Sequence, residues 1–331
     1  MSDRFIPKVH NMKPQKNVRL CIFLIAGYLL IYHAFGCVLH QFTFQNIYTR
    51  QLLRYCIMIP LLIVLVLRLQ KQELFRFTWR SFGKGIFVAS VYWCIAVWLA
   101  FRTIQANVNS GTKLLPWADI MIYSACFLIG TGFTEEVLFR GIVLHLLEDK
   151  YGRTTRKNIL KAMFVSSFLF GMIHFLNMFS RENADVFKGM VQVLCAFSGG
   201  LFFSAVYFRS RNIWCSVAIH GFWDFAMGIE SGIFGVGYIM DLSVDDYSML
   251  ADVALRKKVI IYRMIFRVIW AIILVGGELL LFGFIMRKKK VQPLLDREEE
   301  SNAHNEKEQE SNAHIEKEQK IGNNEARDME W

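Results

Sequence analysis

The sequence predicts an all-α, polytopic membrane protein with about eight transmembrane helices. Of the 331 residues, 54% are hydrophobic and only 20% are charged, whereas a soluble chain usually carries about 25% charge. The apolar residues are gathered into runs of about 20, the length of helix that crosses a bilayer. Basic residues lie between these runs, which is typical of membrane topology.

The composition also excludes three classes of protein. Long apolar runs do not fit a soluble enzyme of one or two domains. The net charge of +10 does not indicate a nucleic-acid partner, because the basic residues are placed between apolar runs. The seven cysteines are an odd number and all lie inside apolar segments, so a secreted disulfide scaffold is not expected.

Eight apolar segments are the predicted spans. The first begins near Val18; it is too long for a signal-peptide core, and no cleavage site follows it cleanly. The fourth is too long for one simple span, and the seventh is weakly hydrophobic at its end. The predicted spans are residues 18–40, 52–69, 85–101, 117–148, 159–179, 187–208, 212–230 and 264–286.

The connections between the spans predict cytoplasmic termini. Residues 1–19, 68–84 and 149–161 each carry five basic residues, and four more follow the last span at 287–290. The alternate connections carry one or two, as the positive-inside rule requires for eight spans. The exception is the 231–263 loop, whose basic residues are accompanied by four aspartates.

Charge divides the chain into three regions. Residues 1–17 form a basic tail, and residues 18–290 form the transmembrane core. Residues 291–331 carry a net charge of −7 and contain a decapeptide repeat, SNAHNEKEQE followed by SNAHIEKEQK. This polar segment is predicted to be a disordered cytoplasmic tail.

Three polar clusters inside the spans are candidates for function, because burying charge in hydrocarbon is costly unless the charge is paired or functional. They are Thr134–Arg140 (TEEVLFR) in the fourth span, Phe170–His174 (FGMIH) in the fifth and His220–Asp224 (HGFWD) in the seventh. In the last span, Glu278 and Arg267 are expected to contact lipid headgroups or a neighbouring helix.

The ionisable groups of the three clusters are predicted to lie in one layer of the membrane. With a rise of about 1.5 Å per residue, Glu135 lies about 20 Å from the cytoplasmic boundary and His174 about 22 Å. On the same rise, His220 lies about 12 Å in and Asp224 about 18 Å. Three separate spans would thus bring four ionisable groups together.

Helical spacing separates the two adjacent glutamates. Glu136 and Arg140 are four residues apart and can form an ion pair, whereas Glu135 points about 100° away. His220 and Asp224 are also four residues apart. A carboxylate with histidines from other helices can activate water and stabilise an oxyanion. No serine or cysteine lies beside a clear base in the clusters, so a covalent nucleophile is less expected.

The order and spacing of Glu-Glu-x-x-x-Arg, Phe-x-x-x-His and His-x-x-x-Asp resemble the three motifs of the CPBP family. This family comprises CAAX proteases and bacteriocin-processing enzymes of the Abi type, which are intramembrane proteases with an eight-helix core around an active-site cavity. The resemblance covers about residues 117–230. Three such motifs on successive apolar helices are far more specific than one alone.

The resemblance implies a role for each motif residue. Glu135 would be the general base that activates water, with His174 as its partner. His220 and Asp224 would stabilise the oxyanion. The third motif of the family most often ends in asparagine, so Asp224 departs from the pattern and needs a proton, or a pairing with His220, to take this role.

Three further residues are expected to support the site, and a metal is left open. Glu136 and Arg140 would hold the site in shape, and Phe170 would pack beside it. Glu135 and the two histidines of the motifs, His174 and His220, could bind a divalent metal such as zinc. The sequence contains no His-Glu-x-x-His motif, so the metal remains undecided at this point.

The leading hypothesis is an intramembrane endopeptidase that cleaves a membrane-associated peptide or protein. One alternative is a non-catalytic immunity or regulatory protein on the same scaffold. Another is a transporter or proton relay, although internal repeats typical of transporters are not evident. The expected partners are the substrate and the lipid bilayer. The N-terminus carries no added targeting segment, which favours a bacterial plasma membrane.

Overall fold

The computed structural model describes residues 14–44, 46–178, 186–235 and 253–296, and every regular element in these ranges is helical. The α-helices are α1 (Pro14–His40), α2 (Ile47–Arg68), α3 (Trp79–Val88), α4 (Ser90–Asn109), α5 (Trp117–Ala125), α6 (Gly132–Glu136), α7 (Leu144–Tyr151), α8 (Arg156–His174), α9 (Val186–Ser210), α10 (Ile213–Met227), α11 (Ile229–Ile233), α12 (Val253–Ile285) and α13 (288–296).

Residues 117–151 form one continuous helical segment, here called the motif helix. Two π-helical stretches, Cys126–Thr131 and Val137–Val143, lie on either side of α6. Short π-helical insertions of this kind are frequent at functional sites. The motif helix corresponds to the predicted fourth span, which the sequence had marked as too long for a simple crossing.

The predicted count of eight spans is not confirmed. Within the described residues, four helical stretches are long and apolar enough to cross a membrane: Val18–His40, Tyr48–Arg68, Gly189–Ser210 and Met264–Ile285. A fifth crossing is possible if α3 and α4 are one span, but these helices are bent by 74° relative to each other. The predicted segment 85–101 is therefore not one straight helix.

The other predicted spans differ from simple transmembrane helices in length or continuity. α10 has 15 residues, whereas a helix that crosses a bilayer needs about 20. The motif helix is interrupted by π-helical stretches. These segments also carry the polar motifs. The length of each helical element, rather than its apolarity, thus distinguishes these segments from simple crossings.

Several basic connections meet at one end of the helical bundle, here called the basic end. Lys71 Nζ lies 2.9 Å from Asp149 Oδ2, and Arg156 Nε donates to the Met286 carbonyl oxygen at 2.7 Å. Arg209 Nη1 donates to the backbone of residue 290, also at 2.7 Å. The loops after α2, α7 and α9 and the end of α12 thus share one face.

The opposite end of the bundle, here called the far end, is also held by contacts between distant segments. Asn46 Nδ2 donates to Asp119 Oδ1 at 2.8 Å, and the hydroxyls of Tyr48 and Ser231 lie 2.6 Å apart. The starts of α2 and α5 therefore meet α11 there. Successive segments consequently run back and forth between the basic end and the far end.

The motif helix lies at the centre of the bundle. Its apolar side chains after Glu136 are buried, and α9 and α10 contribute buried residues to the same core. By contrast, α1, α4 and α12 expose large apolar side chains such as Phe23, Trp98 and Leu280. A helix that is apolar on its outer face is suited to contact lipid. The polar motifs are thus enclosed by more apolar helices.

Two glycines allow the motif helix and α10 to approach closely. A Cβ atom added to Gly132 would lie 2.6 Å from the Val217 carbonyl oxygen. One added to Gly221 would lie 2.8 Å from the carbonyl oxygens of Phe127 and Leu128. Small residues allow helix backbones to pack closely in membranes. Here they bring the residue beside Gly221, His220, next to α6.

The first residues of the predicted acidic tail are helical. α13 continues to residue 296, and its side chains Val291 and Leu295 are buried in the main core. The rest of the tail, including the decapeptide repeat, lies outside the described residues. The same holds for residues 1–13 and most of the 231–263 loop, so the three-region division otherwise stays a prediction.

Candidate active site

Three helical segments bring the predicted site residues together near the middle of the bundle. α6 carries Glu135 and Glu136, α8 ends at His174, and α10 carries His220 and Asp224. Thr155 and Asn212 accept hydrogen bonds from the first turns of α8 and α10, which are typical N-terminal caps.

Glu136 is at the centre of a buried ion-pair network. Its Oε1 lies 2.9 Å from Arg140 Nη1 and 2.7 Å from His220 Nδ1. The side chains of Glu136 and Arg140 are 0% and 1% exposed. The predicted pairing of Glu136 with Arg140 is confirmed. Its contact with His220 was not predicted, because it joins two different helices.

Aromatic rings surround the Arg140 guanidinium. Its Cζ lies 4.4 Å from the Phe170 ring centre and 5.4 Å from that of Phe203. A guanidinium over a ring face is stabilised by about 0.5–2 kcal/mol, more when both are desolvated. Phe170 also lies edge-on to His174, with ring centres 5.0 Å apart. Its packing role in the site is therefore visible in the structure.

Glu135 faces a different direction from Glu136, as its helical position predicts. Its Oε2 lies 3.7 Å from His220 Nε2 and 4.0 Å from His174 Nε2. Both separations exceed a direct hydrogen bond. Oε2 is itself buried and makes no hydrogen bond within the described ranges, although the side chain as a whole is 19% exposed. A water molecule shared between Glu135 and a histidine would satisfy these groups.

His220 is held in one orientation. Its Nδ1 is fixed by Glu136, and its ring stacks on Phe203 with centres 4.9 Å apart. The opposite nitrogen, Nε2, therefore points toward Glu135 and lies 3.5 Å from Asp224 Oδ2. Hydrogen-bonding one ring nitrogen to a carboxylate fixes the chemical role of the other.

Asp224 and His174 both border the accessible part of the site. Their side chains are 28% and 17% exposed, in contrast to the fully buried Glu136. Asp224 lies beside His220, the pairing that its departure from the family pattern requires. Gln192 Nε2 lies 3.4 Å from His174 Nδ1. Gln192 was not predicted as a site residue, because it lies on α9 outside the three motifs.

The donor atoms are not arranged as a preformed metal site. Two ligands of a tetrahedral zinc, each about 2.0–2.1 Å from the ion, lie about 3.3 Å apart, whereas the separations at Glu135 are 3.7 and 4.0 Å. No group of three His, Cys, Asp or Glu side chains in the described part of the chain has metal-binding geometry.

A second buried carboxylate lies apart from this cluster. Glu278 of α12 accepts hydrogen bonds from the hydroxyls of Ser198, on α9, and Tyr92, on α4; the Tyr92 contact is 3.2 Å. Of the two environments expected for Glu278, the neighbouring helix is the one observed. These bonds join three helices and explain how a carboxylate is accommodated in an apolar span.

The comparison with known families covers the same segment. Residues 116–226 match the model of the Rce1-like type II CAAX prenyl endopeptidases. This is about a third of the chain, and it includes α6, α8 and α10 with every motif residue. No curated protein and no solved structure matches the chain at a significant level. The apolar helices indicate an integral membrane protein, and its residues 116–226 are similar to the Rce1-like CAAX proteases.

Proposed function

We propose that this protein is an intramembrane endopeptidase that cleaves a membrane-associated peptide or protein with water activated by Glu135. The observation that carries the proposal is the asymmetry of the two glutamates. Glu136 is fully buried and neutralised by Arg140 and His220, whereas Glu135 is partly exposed, and its Oε2 makes no hydrogen bond to the described residues. Only Glu135 is available to a reactant.

In the proposed first step, Glu135 takes a proton from water while the water oxygen attacks the carbonyl carbon of the substrate. The carbonyl electron pair moves to its oxygen, and the N–H at His220 Nε2 donates a hydrogen bond to the developing oxyanion without transferring its proton. His174, 4.0 Å from Glu135, holds the water by a hydrogen bond. Hydrogen-bond donors placed where charge develops in the transition state typically lower the activation free energy by several kcal/mol.

In the second step, the tetrahedral intermediate collapses and the carbon–nitrogen bond breaks. Glu135 returns its proton to the leaving nitrogen, so the same residue acts first as general base and then as general acid. Asp224 orients His220 from the cavity side, and Glu136 does so from the buried side. No covalent intermediate with the protein is formed.

The test compares wild type with Glu135→Gln in the same membrane. Mass spectrometry of membrane-protein termini, and of an added peptide with a farnesylated cysteine near its C-terminus, reports cleavage. We expect products only with wild type and an equal thermal unfolding temperature for both. Glu73→Gln, at an exposed position near the basic end, is the matched control and should retain activity. Full activity of Glu135→Gln would refute the role of Glu135 as the base, whereas identical termini without cleavage by either protein would favour a non-catalytic scaffold.

The proposed location is a bacterial plasma membrane, with the basic end and both termini in the cytoplasm. The grouping of basic connections at one end supports this orientation, because basic loops are retained on the cytoplasmic side. The bilayer and the peptide substrate are the proposed partners. Protease treatment of sealed, right-side-out vesicles should leave a tag fused after Trp331 intact; its removal would reverse the orientation.

A further inference from the structure

Nine basic side chains form one surface at the basic end of the bundle, here called the cationic surface. Arg156 Nε donates to the Met286 carbonyl oxygen, and Arg209 Nη1 donates to that of Lys290, both at 2.7 Å. These bonds bring the start of α8 and the end of α9 against the junction of α12 and α13. The surface consists of Lys150, Arg156, Lys157, Lys161, Arg209 and residues 287–290 (RKKK).

The carboxylates at the end of α7 are paired with other basic residues. Asp149 lies 2.9 Å from Lys71 Nζ and 2.7 Å from Arg153 Nη2. Glu148 Oε2 lies 3.4 Å from Arg153 Nε. Within the described part of the chain, none of the nine side chains of the cationic surface forms an ion pair. The positive potential of this surface therefore attracts an anionic ligand.

Aromatic rings hold several of these charges without neutralising them. The Nζ atoms of Lys150 and Lys161 lie 5.2 and 4.4 Å from the centre of the Tyr151 ring. Lys290 Nζ lies 3.4 Å from the centre of the Phe284 ring. A ring face attracts a cation but carries no net charge. The first turn of α8, which belongs to the cationic surface, contains no acidic residue, although a helix N-terminus favours negative charge.

The chain passes this surface at α13 and continues with an acidic stretch. Val291 and Leu295 are buried in the main core, which fixes α13 against the bundle up to residue 296. Residues 298–310, here called the acidic segment, contain six glutamates and one lysine, a net charge of −5. Thirteen extended residues span at most about 45 Å, enough to cross several helices of about 10 Å diameter. The acidic segment is therefore long enough to reach the whole cationic surface.

We propose that the acidic segment docks on the cationic surface of its own chain. The charges are complementary, and the segment begins two residues after the end of α13. Tethering by a short linker gives an effective concentration in the millimolar range, which favours the chain's own segment over a free acidic partner. Anionic lipid headgroups are also attracted to basic residues beside a membrane, so they compete for the same surface. This docking is independent of the proposed catalytic activity.

The experiment is carbodiimide cross-linking of the full chain in phosphatidylcholine nanodiscs, which contain no anionic lipid. The reagent joins a carboxylate to a lysine amine when the two are in contact, and mass spectrometry of the peptides locates each bond. We expect bonds from the glutamates of the acidic segment to Lys157, Lys161 and residues 288–290, all of which are exposed. Lys113, exposed in the loop next to α11 at the far end, should form none.

Salt separates docking by charge from other contacts. Lys71 and Asp149, which lie 2.9 Å apart and are partly buried, should be joined in every sample and provide the internal reference for folding and for reagent activity. At 1 M salt the Debye length shortens to about 3 Å, so bonds from the acidic segment should fall about tenfold relative to this reference.

A matched pair of variants tests the acidic segment by a second readout, the acetylation rate of exposed lysines in the same nanodiscs. Neutralising the first three glutamates of the segment should raise the acetylation of Lys157 and Lys161 several-fold, whereas neutralising three acidic residues beyond the segment should leave it unchanged. The first variant carries Glu298→Gln, Glu299→Gln and Glu300→Gln, and the control carries Glu325→Gln, Asp328→Asn and Glu330→Gln.

Three outcomes would overturn the proposal. The first is cross-linking to the cationic surface that is no more frequent than to Lys113, or equal acetylation in the two variants. The second is cross-linking only between labelled and unlabelled chains in an isotopic mixture, which would place the segment on a second copy. The third is a surface without these cross-links whose lysines are protected only after phosphatidylglycerol is added, which would assign it to lipid headgroups.

Discussion

Replacing Glu136 by glutamine should destabilise the protein more than any exposed substitution. The carboxylate forms an ion pair with Arg140 Nη1 at 2.9 Å and a hydrogen bond with His220 Nδ1 at 2.7 Å, and it is 0% exposed. The amide keeps the shape of the side chain but removes the charge that neutralises Arg140. An uncompensated charge then remains in a site that excludes water.

The expected magnitude follows from that burial. Removing one partner of a buried ion pair costs about 3–5 kcal/mol, because the other charge stays buried. Removing both charges leaves no unpaired charge. The double variant Glu136→Gln, Arg140→Met should therefore lose less unfolding free energy than the sum of the losses of the two single variants. The glutamine can also reverse the orientation of His220, so activity should fall in addition to stability.

The assay is denaturant-induced unfolding of the purified protein in detergent micelles, followed by tryptophan fluorescence. Glu73→Gln serves again as the exposed control and should stay within about 0.5 kcal/mol of wild type. A Glu136→Gln protein that is equally close to wild type would refute the reasoning. So would a double variant whose loss equals the sum of the two single losses.

Two further predictions concern helix contacts. Gly221→Ala should destabilise the protein by about 1–3 kcal/mol, the typical cost of overpacking, and should lower cleavage because it separates α10 from the motif helix. The control is Gly276→Ala, whose added methyl group meets open space and should change neither unfolding nor cleavage. Equal behaviour of the two variants in these assays would contradict this account. Glu278→Leu should lose about 2 kcal/mol because the buried Tyr92 hydroxyl loses its acceptor, while Ser198 keeps only the Cys195 carbonyl oxygen as an acceptor. Glu278→Gln should lose less, and unfolding measurements that reverse this order would show that these bonds do not stabilise the fold.

Much of the site could be predicted from the sequence because its residues obey rules that act within one helix. Four-residue spacing predicted the pairing of Glu136 with Arg140, and the rise per residue placed Glu135 near His174. The apolar runs predicted the helical membrane fold and four of the crossings. These inferences needed only the local geometry of an α-helix.

The rest depended on contacts between helices. The bond between His220 and Glu136 exists because Gly132 and Gly221 let two backbones approach, and neither glycine is distinctive in the sequence. The bend beside Ala89 and the burial of α13 likewise follow from packing. Gln192 reaches His174 from a helix without a motif, so no spacing rule could have found it.

The π-helical stretches on either side of α6 make the direction of Glu135 depend on residue number. A π-helix closes its hydrogen bonds over one more residue than an α-helix, so each stretch accommodates extra chain without a break. Deleting one residue from Cys126–Thr131 should restore α-helical geometry there with little rotation of the flanks, whereas deleting one residue from α5 would rotate the helix on one side by about 100° relative to the other. The angular register of the two carboxylates is therefore set by the length of their flanks as well as by side-chain identity, and the effect of a single-residue deletion depends on whether it falls in a π-helical or an α-helical stretch.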